Sequence, residues 1–107
     1  MSEKTFNKLV RDKIPAIIEN NGEVAVTRVL SDEEYKTELI TKLQEEVKEF
    51  LDSEETEELA DIVEVIYGLL NYKGVSIQEF EKIRLNKVQK RGGFQDKIFL
   101  EKTIKQD

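Results

Sequence analysis

Seven carboxylates fall into two short stretches of this 107-residue chain, and five of them have the spacing that matters: Glu45, Glu46 and Glu49 in "LQEEVKEFL", then Glu58 and Asp61 in "EELADIVEV". Acids spaced three or four apart share one side of a helix, so each stretch can present its carboxylates together. Oxygen ligands in that number suit a hard divalent cation such as Mg²⁺, with Mn²⁺ as a substitute. The chain has no histidine and no cysteine. The commonest general base, thiol nucleophiles, disulfides and Cys-ligated zinc are therefore all excluded. What remains is chemistry carried by Asp, Glu, Lys, Arg, Tyr, Ser or Thr, or by a metal held through oxygen.

The weight of these acids depends on the faces they occupy. On a helical wheel Tyr35, Leu39, Leu43, Val47, Phe50 and Leu51 fill one broad arc, and Glu46 falls inside it. Glu49 and Glu45 lie on its flank. In the next helical stretch Leu59, Ile62, Val63, Ile66, Leu69 and Leu70 form an apolar face with Val65 at its margin. Glu58 sits among them, with Asp61 beside it. In a chain with 37% charged residues a lone "EExxE" is by default a solvated face. Glu45 and Glu57 fit that description. Glu46 and Glu58 do not, because unpaired carboxylates near a core are costly and repel each other. Salt bridges to Lys or Arg can offset the cost, and so can a divalent cation.

Four helices are predicted to position these groups. Asp12 caps the first, whose opening turn tolerates Pro15 and whose end is marked by "NNG". Ser31 and Glu34 form a capping box for the second, which runs to about Leu51. Ser53 caps a third ending near Gly74, and Ser76 with Glu79 opens a fourth that "RGG" stops. The β-branched "EVAVTRVL" predicts a strand over Val24–Leu30, and "FQDKIFLE" a second over Phe94–Leu100, paired as a ribbon. The expected architecture is mainly α: an antiparallel bundle of about four helices with a small two-stranded ribbon, in a single domain spanning 1–107. Helices two and three, joined by a short turn, are expected to be antiparallel neighbours whose acidic edges converge.

The complementary charge lies in "IRLNKVQKRGGF", with Lys87 and Arg91 near the end of helix four. Cations there complement the helix dipole in any case, but a planar guanidinium also suits phosphate. "KLVRDK" offers a second basic group, Arg11 and Lys13 with Lys8. A net charge of −6 argues against nucleic-acid polymers and anionic membranes as partners. With no apolar run of membrane-spanning length and a charged N-terminus, a soluble cytoplasmic protein is the default expectation.

"EEVKEF" followed by "EELADIVEV" resembles the EExxE…ExxD signature of the MazG-like, all-α nucleoside triphosphate pyrophosphohydrolases, a superfamily that includes phosphoribosyl-ATP pyrophosphohydrolase. "NKLVRDKIPAII" and "RGGF" resemble a small single-domain subgroup, so the likeness covers nearly the whole chain. It implies an all-α core assembled into dimers or larger oligomers. It also implies Mg²⁺-dependent cleavage of a nucleotide between its α- and β-phosphates. By motif position, Glu46, Glu49, Glu58 and Asp61 would be metal ligands, with Glu45 a ligand or outer partner. Glu45 or Glu49 would orient or deprotonate the attacking water. Lys87 and Arg91, then Arg11 and Lys13, would contact phosphate. A helical nucleotide-sensing or protein-interaction module without turnover is the alternative.

Overall fold

The computed structural model describes residues 2–106, and all of its regular structure is helical. The elements are α1 (Ile14–Asn20), α2 (Asp32–Ser53), α3 (Thr56–Lys73) and α4 (Ile77–Arg91). The chain divides into two compact units, Met1–Val75 and Ser76–Asp107.

In the first unit, α2 and α3 are the packed pair. Tyr35 Oη donates to the Gly68 carbonyl at 3.5 Å, and Glu46 on α2 meets Glu58 and Asp61 on α3. Early α2 thus lies beside late α3, and late α2 beside early α3, so the two helices run antiparallel. Ser31 builds the expected capping box: its hydroxyl accepts from the Glu34 N–H while the Glu34 carboxylate accepts from the Ser31 N–H. Gly74 ends α3 in the left-handed region at φ 71°, where a side chain would be strained.

The core of this pair is small. Leu39 (4% exposed), Val65 and Leu70 are its buried apolar residues. Val65, expected at the margin of α3, is in the core, while Leu59 and Val63 are exposed. The helices approach closely at Gly68, where a Cβ would come within 2.8 Å of Leu39 Cδ2.

Three local expectations are corrected. Lys13, not Asp12, is the N-cap of α1, and it makes no side-chain cap. Ser53 closes α2 instead of capping α3; its Oγ accepts from the N–H of Glu55, which is the N-cap of α3. The two-stranded ribbon is absent: no strand occurs among the described residues. β propensity records how well a side chain packs on a pleated surface, and these segments have none to pack on. Val24, Val26, Val29, Phe94, Ile98 and Phe99 all project into solvent. Near α2, Arg28 is engaged by Glu34 at 2.8 Å, and this guanidinium holds the Glu34 carboxyl at about 2.

In the second unit, Ser76 caps α4 by accepting from the Glu79 N–H, while its hydroxyl donates to the Glu79 carboxylate. Gly92 ends the helix at φ 83°. No residue of α4 is buried.

The Gly68 contact makes a prediction. Ala is the better helix former by about 1 kcal/mol, yet crowding a packed core costs about 1–3 kcal/mol. Gly68→Ala should therefore lower stability in denaturant unfolding. In a Leu39→Ala background, where the obstructing methyl is gone, the same change should raise it. Equal effects in both backgrounds would contradict the packing.

Candidate metal centre

The two wrongly faced acids of the sequence do meet. One carboxylate oxygen from each of Glu46, Glu58 and Asp61 can be chosen so that all three lie within 4.8 Å of one another. Glu46 comes from the seam of α2, Glu58 from the first turn of α3 and Asp61 from one turn later, so antiparallel pairing alone brings them together. Glu46 is only 7% exposed, whereas Glu58 and Asp61 are half-buried and Glu49 is exposed on their rim.

The electrostatics are unfavourable without a cation. Glu46 Oε2 and Glu58 Oε2 are buried and have no hydrogen-bond partner. Burial pushes the Glu46 carboxyl above the usual range, and the charge of Glu49 pushes it further, while Lys42 pulls the other way. Glu58 is raised for the same reasons, burial first and Glu49 next, with Asp61 and Glu46 adding to it. Two basic residues supply partial compensation. Arg11 Nη2 reaches Asp61 Oδ1 at 2.6 Å, across fifty residues of sequence. Lys42 Nζ stands 3.6 Å from Glu46 Oε1 and 3.8 Å from Glu45 Oε2.

These contacts leave the two orphaned oxygens unserved. A hard divalent ion takes six or more oxygen ligands and accepts carboxylates one oxygen at a time, so the donor set and its unsatisfied atoms fit Mg²⁺ or Mn²⁺. Such an ion would relieve desolvation and mutual repulsion together.

A cleft of about 550 Å³ adjoins the cluster. Asp12, Glu46, Asp61 and Glu64 give it negative charge and Arg11, Lys13 and Lys42 positive charge, while Tyr35 and Tyr67 line it as well. Tyr35 and Gly68 pair two to three turns from Glu46 and Asp61 along the α2–α3 seam, and Glu64 lies between Asp61 and Gly68 on α3.

Of the remaining sequence candidates, Glu45 is held by Lys42, and Lys13 sits at the start of α1 on the cleft wall. Arg11, expected at phosphate, is engaged by Asp61. Lys87 and Arg91 are one turn apart on α4 in the second unit, where Arg91 lines a separate hollow of about 320 Å³ with residues 92–98. Lys42 was missed. Its position four residues before Glu46 was the available signal, since that spacing places the two side chains together.

No family model matches the chain, and no solved structure matches it. An uncharacterized protein of Mycolicibacterium smegmatis is 52% identical over 42 residues, which cover 39% of this chain and 43% of that relative. The match thus spans less than half the length of either protein.

The raised Glu46 carboxyl gives a signed expectation for metal-free protein. A group that holds its proton more tightly when folded withdraws stability as pH climbs above its ordinary value of 4.5. Gln resembles protonated Glu, so Glu46→Gln should match wild type near pH 4.5 and be the more stable of the two at pH 7.5. Urea unfolding at both values checks this. A variant that is less stable at pH 7.5 would show that the native carboxylate is already satisfied.

Proposed function

We propose that this chain is a Mg²⁺-dependent nucleotide pyrophosphohydrolase, cleaving a nucleoside triphosphate or related nucleotide into a monophosphate and pyrophosphate. The observation that carries the proposal is the meeting of Glu46, Glu58 and Asp61 within 4.8 Å, with two buried oxygens lacking partners. The MazG-like sequence pattern supports the choice of reaction.

On this reading Glu46, Glu58 and Asp61 hold the cation, and Glu49 joins them from the exposed rim. A bound Mg²⁺ supplies neutralising charge for phosphate oxygens and acidifies water. In the reaction, water adds to one phosphorus of the anhydride, the bridging P–O bond breaks, and the water proton passes to a carboxylate. Glu49 and Glu45 are the acids proposed for that proton; of the two, Glu49 is the more exposed and is not paired with Lys42. Phosphoryl transfer asks the protein chiefly for positioning and charge, so the absence of histidine is no obstacle.

The cleft supports a nucleotide as substrate. Its volume falls within the range of small-molecule sites, its tyrosines can take a planar base, and its lysines can meet phosphates once a cation offsets the acids. Lys42 and Lys13 on the cleft wall are the proposed phosphate contacts.

A non-catalytic interaction module is the second reading. It is favoured by the apolar side chains left in solvent, including Leu59 and Val63 on α3 and Ile83 and Leu85 on α4. The same exposure supports assembly of the chain with further copies of itself, which sedimentation would read directly.

Pyrophosphate release from a panel of nucleotides, with and without Mg²⁺, decides between the readings. The enzyme reading expects release only with the metal, and a loss of about 100-fold or more in Glu46→Gln. Metal-independent release, or none from any nucleotide, would overturn it. A linked measurement is thermal. A ligand at a hundred times its Kd stabilises by about 2.7 kcal/mol. Mg²⁺ should therefore raise the Tm of wild type more than that of Glu46→Gln, and equal shifts would place the ion elsewhere.

A further inference from the structure

We infer that Arg11 is a positioning residue for the cation site, acting through Asp61. The inference rests on the cation reading of the cluster. Its basis is the contact from Arg11 Nη2 to Asp61 Oδ1 at 2.6 Å, which joins the segment before α1 to the second turn of α3.

Three features support the role. Arg11 is not on a loose tail at its backbone: its carbonyl accepts from the Ile14 N–H at 3.0 Å, fastening it to the opening turn of α1. The guanidinium takes one oxygen of Asp61, and a carboxylate has lone pairs on both, so the second oxygen stays available to a cation. An outer partner that fixes one oxygen orients the other and narrows the rotamers a half-exposed aspartate would otherwise sample.

Charge points the same way. Glu46, Glu49, Glu58 and Asp61 repel one another here. A divalent ion offsets half of their charge. Arg11 and Lys42, each already in contact with one member, can offset the rest. Arg11 therefore need not leave when the ion arrives.

The test is Mn²⁺ binding without nucleotide, following the free ion by electron paramagnetic resonance. Arg11→Gln should weaken binding about ten- to a hundredfold, as loss of an outer partner does elsewhere. Arg11→Lys, which keeps the charge and loses the planar fork, should fall between Gln and wild type. In an Asp61→Asn background, Arg11→Gln should add less than about a twofold change, because contacting residues that act as one unit are not additive. Lys73→Gln, at the far end of α3, should bind as wild type does. Circular dichroism identifies any variant that fails to fold; if Arg11→Gln does, Arg11→Lys and its Asp61→Asn pairing decide. Unchanged or tighter binding in Arg11→Gln would overturn the inference, the latter marking Arg11 as a competitor of the ion. An undiminished effect in Asp61→Asn would show that Arg11 acts elsewhere. Failure of wild type itself to bind Mn²⁺ would remove the cation reading and the role of Arg11 with it.

Discussion

The burial of Glu46 is the constraint around which the first unit is organised. A carboxylate in the seam of a two-helix pair, with one oxygen lacking any partner, is a liability that a core of three buried apolar side chains is ill equipped to absorb. Replacing it by an apolar residue would be the direct route to a more stable α2–α3 pair. On the proposed reading it is held as a metal ligand, with stability surrendered so that a charge can be met inside the seam. Lys42 limits the cost by standing 3.6 Å from the other oxygen, without quenching the one that is orphaned.

The helix pair supplies the geometry such a ligand needs. Rigid elements place side chains more accurately than loops, and all three convergent acids come from helices. The register is set away from the cluster, where Gly68 lets α3 close on Leu39 and Tyr35 reaches the Gly68 carbonyl. Changes at Gly68 should therefore be felt at the acids two turns away. The Arg11 contact closes the arrangement from a third direction, adding a part of the chain that α2 and α3 do not hold by themselves.

The convergence of Glu46 with Glu58 and Asp61 was legible because it violates a rule. Helical periodicity assigns faces from sequence alone, and Glu46 and Glu58 stood out by falling on the apolar ones. Caps at Ser31, Ser76 and Gly74 were legible because their chemistry is local. Arg11–Asp61 was not, since nothing in a sequence pairs residues fifty apart. The expected strands failed for a related reason: Val24–Leu30 and Phe94–Leu100 have the right residue types, but a strand exists only through a partner, and local pattern does not supply one. The wheel also misplaced Val65, because which part of a broad apolar face is covered depends on how the neighbouring helix crosses it.

The central claim is that a divalent cation belongs among Glu46, Glu58 and Asp61. The most direct measurement is anomalous diffraction from crystals soaked in Mn²⁺, which locates the ion without reference to activity. The account predicts a peak within coordination distance of one oxygen from each of the three acids, with Arg11 still on Asp61. A cluster with no peak, or a peak held by other residues while Glu46 Oε2 stays unpartnered, would contradict it.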